Sequence, residues 1–152
     1  MIMFNFRNMA AIIVCLAVSV MFAGCKGGNN GKSDDGGDGI IGNWPSASVL
    51  AKYGLDGMTK PPGYSNGAFN ELRKEEETRT IVIIFSGNAS TSTSVKKYFS
   101  DNSSWKKMYE NNGNEGMVTY YSKESKGIAY VAQFTESGGK SFQILAGSEP
   151  IE

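Results

Sequence analysis

The side chains best suited to catalysis or metal binding are scarce in this sequence. Histidine is absent, and the two cysteines are Cys15 and Cys25. Without histidine, the chain lacks the commonest general base at neutral pH and the commonest metal ligand. Zinc sites built from cysteine and histidine are therefore excluded, as are serine–histidine–aspartate triads, and the sequence predicts no cofactor.

Serine and lysine residues form patterns that resemble a catalytic signature. Ser94–Lys97 and Ser104–Lys107 fit S-x-x-K, and Ser100–Asn102 spells S-D-N. Together these patterns resemble the signature of serine β-lactamases and penicillin-binding proteins. In those enzymes, however, the two motifs face each other across a cleft, whereas Ser94 and Ser100 are predicted on one short helix. We therefore interpret these residues as surface and capping residues, and we predict no catalytic residue.

Two acidic clusters could be read as metal or catalytic sites. The stretch DDGGDG begins at Asp34, but the third and twelfth positions of an EF-hand loop would then be Gly36 and Pro45. Glu71 and the run Glu75–Glu77 have no apolar surroundings in the sequence that would raise a carboxyl pKa. We interpret both clusters as solvated charge and predict no metal site.

The chain opens with the layout of a secretory signal over residues 1–24. Arg7 precedes an apolar run from Met9 to Phe22. That run is shorter than the roughly 18–20 residues that a helix needs to span a bilayer. Cleavage between Gly24 and Cys25 would leave Cys25 as the one remaining cysteine, so no intramolecular disulfide could form.

The residues Phe22-Ala23-Gly24-Cys25 (FAGC) resemble the lipobox of bacterial lipoproteins. In that family small residues precede a cysteine that is acylated and becomes the mature N-terminus. Phe22 departs from the leucine that is more usual at its position. The resemblance implies that Cys25 carries acyl chains and holds the protein at a membrane lipid surface, because two or more chains are needed for stable attachment.

Residues 25–43 are predicted to be the acylated cysteine followed by a flexible tether. The segment is rich in glycine and polar residues and contains no aromatic residue, so it cannot bury enough apolar surface to fold. Its root-mean-square reach is on the order of 20–25 Å. Lys26 and the later acidic residues resemble the spacer of Bacteroidetes lipoproteins, which implies the outer membrane or cell surface more than the inner membrane.

From Trp44 onward the composition is that of one globular domain, residues 44–152. Apolar spacing and turn residues predict the order helix, two strands, helix, then a meander of strands. The predicted elements are a helix over Ser46–Tyr53, strands over Ala68–Lys74 and Thr80–Gly87, a helix over Thr93–Asp101, a strand over Met117–Lys123, and a hairpin over residues 127–147. For Ala68–Lys74 the composition also permits a helix, and the strand is favoured.

One segment admits two readings. Trp105, Met108 and Tyr109 keep helical spacing and could extend the second helix, or Trp105–Glu110 could be a strand paired with Met117–Lys123. The pair Ser103-Ser104 is unfavourable inside a helix, and NNGNEG (residues 111–116) is rich in residues that tolerate positive φ. These two features favour the strand.

This order predicts an α+β fold with a mainly antiparallel sheet of about five strands and one or two helices packed on one face. The segment TIVIIFSG, Thr80 to Gly87, is apolar on both faces and is predicted to be a central strand. The WP…L..YGL…PPG opening, residues 44–63, loosely resembles small envelope lipoproteins, a resemblance that implies no function.

Aromatic residues are the candidates for a binding surface. Alternation along MVTYYSK (residues 117–123) places Tyr120 and Tyr121 on opposite faces of a strand, so one of them should be exposed. Tyrosine and tryptophan combine an apolar ring with a polar edge, which suits binding to protein or glycan. We predict Tyr121, Trp105 and Tyr109 as exposed binding aromatics.

Three classes of function remain open from the sequence. Fifteen basic and fifteen acidic residues balance, so nucleic acid is not an expected partner. A binding module for an envelope protein or glycan predicts aromatic residues on an uncovered sheet face. An accessory or inhibitor of an envelope enzyme predicts an interface on that face, and a small hydrolase predicts a pocket lined with carboxylates. We expect the first, a non-catalytic module.

Replacing the predicted acylation site tests the leader. In Cys25→Ser the thiol that would carry diacylglycerol is gone, so we expect loss of fatty-acid labelling and accumulation of the unprocessed precursor. Metabolic labelling with palmitate followed by gel electrophoresis measures both, with Cys15→Ser as the matched control. Unchanged labelling of Cys25→Ser would contradict the lipobox assignment.

Overall fold

The structure, a computed structural model, describes residues 44–73, 79–114 and 116–151. The predicted leader, Cys25, the tether and the acidic run Glu75–Glu77 lie outside the described residues. The described part is mainly β, with a six-stranded antiparallel sheet and two short helices. The elements are α1 (Ala47–Ala51), β1 (Ser65–Arg73), β2 (Arg79–Ser86), α2 (Ala89–Asp101), β3 (Lys106–Gly113), β4 (Gly116–Ser125), β5 (Ile128–Ser137) and β6 (Ser141–Pro150).

The start of α2 is fixed by a capping box. The Asn88 side chain accepts hydrogen bonds from the backbone N–H groups of Ser90 and Thr91, and Thr91 Oγ1 accepts from the Asn88 N–H at 2.9 Å. This arrangement satisfies backbone donors that a helix leaves unpaired at its first turn. Thr91 Oγ1 also donates to the Pro62 carbonyl oxygen at 2.6 Å, which ties the helix start to the preceding loop.

The order of strands across the sheet explains why α2 covers it. The order is β1-β2-β6-β5-β4-β3, so β1 and β3 form the two edges. α2 follows β2 in the chain and leads to β3 at the far edge. The connection must therefore pass across the strands that lie between β2 and β3.

One core cluster joins both helices to one face of the sheet. α1 contributes Leu50, and α2 contributes Val95 and Phe99. The sheet contributes residues that alternate along the inner strands and pair across them. These are Ile81, Ile83, Phe85, Tyr121, Ala132, Phe134, Phe142, Ile144 and Ala146.

Aromatic rings carry the contact between α2 and the β3 side of the sheet. The ring of Phe99 lies flat on that of Tyr121, with centroids 4.0 Å apart and an angle of 8° between the planes. Trp105 meets Phe99 edge to face, with centroids 5.3 Å apart. Because stacked and edge-to-face pairs add to the gain from burial, this trio is a strong local attachment of the helix.

Lys123, whose side chain is only 10% exposed, attaches the segment after α1 to the same side of the sheet. Lys123 Nζ donates to the Gly54 carbonyl oxygen at 3.0 Å and to an Asp56 carboxylate oxygen at 3.1 Å. It also lies over the rings of Trp105 and Tyr130, at 5.7 and 5.5 Å from the centroids. Gly54 has φ +71°, and a Cβ there would lie 2.7 Å from the Tyr130 ring, so only glycine fits.

The structure resolves the ambiguous segment and gives the position of β2 in the sheet. Trp105 ends the turn after α2, and the strand β3 begins at Lys106, which confirms the strand reading. The sheet has six strands where about five were expected. β2 was expected to be a central strand, and it is an inner strand that pairs with β1 and β6. Ile84 of β2, on the face opposite the core cluster, is 56% exposed.

Truncating the central ring of the helix contact tests this packing. Phe99→Ala removes a fully buried ring from beneath α2, and we expect a loss of about 3–5 kcal/mol in the free energy of unfolding. The control Ile84→Ala truncates an exposed apolar residue on the opposite face and should cost about 1 kcal/mol or less. Urea unfolding of both variants measures the difference, and equal losses would contradict the core assignment.

Candidate functional site

The sheet face opposite the core cluster is the candidate site, and we call it the open face. Both described helices bury their apolar residues on the other face. Strand registers arrange the open face in rows that run across all six strands. The tyrosine row contains Tyr109, Tyr120, Gln133, Leu145, Val82 and Asn70, in order from β3 to β1. The amide row, beside it, contains Asn111, Val118, Thr135, Gln143, Ile84 and Ala68.

Two tyrosines stand side by side at the β3 end of the tyrosine row. Tyr109 is 57% exposed, and Tyr120 beside it is half-buried. Their ring centroids are 5.9 Å apart with an angle of 31° between the planes. Burial raises the pKa of Tyr120, and the neighbouring Tyr109 raises it further, so the Tyr120 hydroxyl is protonated and able to donate at neutral pH.

The structure places the three predicted binding aromatics differently. Tyr109 is exposed, as the sequence analysis expected. Trp105 and Tyr121 are 5% and 7% exposed, so the prediction that these two are exposed was wrong. The physical reason is that both pack against Phe99 beneath α2. Tyr109 and Tyr121 also lie on opposite faces, so the three residues do not form one surface.

Tyr120 lies on the open face, although the sequence did not predict it as a binding aromatic. The predicted alternation of Tyr120 and Tyr121 across the two faces is confirmed. The turn between β4 and β5 could have indicated which tyrosine faces the core. Lys126 and Gly127 form this turn, and both have positive φ, 53° and 75°. Such a two-residue turn pairs Ser125 with Ile128 and therefore sets Tyr121 opposite Ala132, on the core side.

Both edge strands are irregular, which disfavours addition of another strand. β3 has a register shift between Lys107 and Tyr109, where Met108 is the extra residue. β1 has a register shift between Ser65 and Ala68. Bulges and lysines at sheet edges hinder pairing with an additional chain. The open face is therefore a better candidate surface than either edge.

A groove of about 520 Å³ lies between α2 and β3. Phe99, Trp105 and Tyr121 form part of its lining. The three lysines around it are all ion-paired, in the pairs Lys96–Glu136, Lys97–Asp101 and Lys107–Glu110. The Trp105 indole N–H has no hydrogen-bond acceptor among the residues that the structure describes. Since each of these lysines is already paired with a carboxylate, none of the three is an unpaired cation for an anionic ligand.

A second depression, about 570 Å³, lies between α2 and residues 57–61. Ser94 and Asp101 contribute to its lining, and the Tyr98 hydroxyl donates to the Asp56 carbonyl oxygen at 3.0 Å. The serines of the S-x-x-K and S-D-N patterns, Ser94 and Ser100, both lie on α2 as predicted. Ser100 Oγ donates to the Lys97 carbonyl oxygen, as a helix-surface serine does.

Several carboxylates in the described part are held in structural contacts. Glu71 accepts from the Tyr53 hydroxyl at 2.8 Å, and Glu136 accepts from Ser92 and pairs with Lys96. The Lys107 ammonium, by its hydrogen bond, lowers the pKa of Glu110, so this carboxylate stays ionised. Burial raises the pKa of Glu149 near the end of β6.

Comparisons with known proteins give no assignment. No protein-family model, curated protein or solved structure matches the chain. Among the described residues, no cluster of three or more potential metal ligands occurs. In the same part of the chain, no helix has the length and apolar character needed to cross a membrane.

Proposed function

We propose that this protein is a lipoprotein of the bacterial cell envelope whose folded domain binds a protein or glycan without catalysing a reaction. Acyl chains on Cys25 anchor it to membrane lipid at the outer membrane or cell surface, and residues 26–43 act as the tether. The domain is an α+β module in which helices packed on one face leave the other face to the partner. The FAGC sequence supports the anchor.

The observation that carries the binding role is the tyrosine pair on the open face, in which Tyr109 is exposed and Tyr120 is half-buried. Tyr109 and Tyr120 present two adjacent rings on the side away from the core cluster. Exposed tyrosines combine apolar ring surface with a hydroxyl that donates and accepts hydrogen bonds. Residues of this kind are enriched where proteins bind partners.

The carboxylates favour a binding role over a hydrolase. A glycoside hydrolase needs two carboxyl groups across one cleft, with the pKa of one raised so that it can donate a proton. The groove between α2 and β3 includes Glu110, whose pKa is lowered by Lys107. Glu149, whose pKa is raised, lies on β6 and lines neither that groove nor the depression beside residues 57–61.

Site-specific photo-crosslinking tests which surface meets the partner. A benzophenone amino acid at position 120 places the reactive group on the open face, and one at Ser100 places it on the exposed side of α2. In intact cells that express the full-length chain, we expect crosslinked products at position 120 and none at position 100. Electrophoresis with immunodetection of the chain measures the shift.

A product at position 100 without one at position 120 would contradict the proposal, because it would move the partner to the helix side. Adding Tyr109→Ala to the chain that carries the probe at position 120 should reduce the product. Adding Met108→Ala should not, since Met108 lies outside the paired register.

A further inference from the structure

Neither row of the open face contains an aspartate, glutamate, lysine or arginine. On this face of the described strands, charged side chains lie towards strand ends, where Lys106, Glu124 and Glu149 occur. The helix side, by contrast, carries several ion pairs. Anionic lipid or nucleic acid is held by lysine and arginine, so the rows do not suit either. A partner that fits the rows presents an uncharged surface.

The polar groups of the rows suit a partner covered in hydroxyl groups. The centre of the open face contains Gln133, Thr135 and Gln143 on the neighbouring strands β5 and β6. Amides and hydroxyls both donate and accept hydrogen bonds, which matches the two roles of a hydroxyl. Gln133 Nε2 donates to Thr135 Oγ1 at 3.1 Å, which orients the amide.

The apolar groups of the rows do not suit a typical protein partner. Protein interfaces have their apolar anchors clustered near the centre. Here the two most exposed large side chains, Tyr109 and Ile84, lie towards opposite edges of the sheet. Leu145, between them, is only 2% exposed and lies outside the core cluster, flanked by Val82 and Gln133 in its row.

The dimensions of the tyrosine row suit an extended chain. Strands in a sheet are about 4.8 Å apart, so a row across six strands spans about 24 Å. The row begins with the ring faces of Tyr109 and Tyr120 and ends at Asn70. Aromatic rings at one end and uncharged hydrogen-bonding groups beyond them would contact both the C–H faces and the hydroxyls of successive sugar units.

We propose that the open face binds an uncharged oligosaccharide chain, laid across the strands along the tyrosine row with one sugar ring on the Tyr109–Tyr120 pair. This inference rests on the proposed binding function and specifies its ligand class. It assigns Tyr109 and Tyr120 to stacking and Gln133 with its neighbours to hydrogen bonding.

Affinity electrophoresis of the full-length protein in a non-glycosidic detergent tests the inference. The gels contain a neutral polysaccharide (dextran, laminarin, galactomannan or arabinoxylan) or an anionic one (polygalacturonate or heparin). We expect retardation by at least one neutral polysaccharide, reversed by a short oligosaccharide of the same linkage, and none by the anionic ones. Tyr120→Ala and Tyr109→Ala should each weaken binding by about tenfold or more, equivalent to ~1.4 kcal/mol.

Two control variants separate ring stacking from general damage. Tyr109→Phe keeps the ring and should retain most of the affinity, and Met108→Ala changes the exposed neighbour outside the register and should have no effect. Urea midpoints close to that of the unchanged protein verify folding.

Failure of the ligand class and failure of the binding function have different signatures. The glycan assignment is overturned if no neutral polysaccharide retards the protein. It is also overturned if Tyr109→Ala and Tyr120→Ala are both retarded as strongly as the unchanged protein. If a protein is nevertheless crosslinked at position 120, the binding function stands with a protein partner. If the probe at position 120 gives no crosslinked product and no polysaccharide retards the protein, both proposals fail.

Discussion

The flat contact between Phe99 and Tyr121 determines which side of this sheet is covered. Side chains of a strand alternate between the two faces, so placing Tyr121 under α2 forces Tyr120 to the other face. Paired residues on neighbouring strands lie on the same face, so the antiparallel registers determine which residues of each strand face the core. The composition of the open face therefore follows from one aromatic contact on the opposite face.

The small size of the helical layer has a second consequence. α1 and α2 are short, and the non-helical segment after α1 completes the core through residues such as Leu55 and Met58. Lys123 holds that segment through the Gly54 carbonyl and Asp56, on the same side as Trp105. The two described helices pack on one core cluster, and the tyrosine and amide rows of the other face contain no charged residue.

Most elements of the fold could be predicted from local sequence patterns. The run of branched residues in β2, the apolar spacing along α2 and the alternation in the β5–β6 hairpin are local signals, and each gave the correct type of element. The start of α2 was predicted at Thr93, but the Asn88 capping box begins the helix at Ala89. Alternation alone could not tell which tyrosine faces outward. A period-two pattern places Tyr120 and Tyr121 on opposite faces of the strand but does not show which face packs against the core. That choice depended on the register set by the Lys126-Gly127 turn and on the tertiary contact with Phe99. Tyr109 and Trp105 were both predicted as exposed because both are aromatic residues with a polar edge. Only Tyr109 is exposed, since Trp105 lies beneath α2, a tertiary contact that composition does not reveal.

The proposed function requires that the tyrosine pair on the open face meets a partner at the cell envelope. Hydroxyl-radical footprinting with mass spectrometry compares the oxidation of individual tyrosines in the purified full-length protein and on intact cells. We expect Tyr109 and Tyr120 to become protected on cells, while Tyr98 on α2 keeps its reactivity. Equal oxidation of Tyr109 and Tyr120 in both settings, or protection confined to Tyr98, would contradict it.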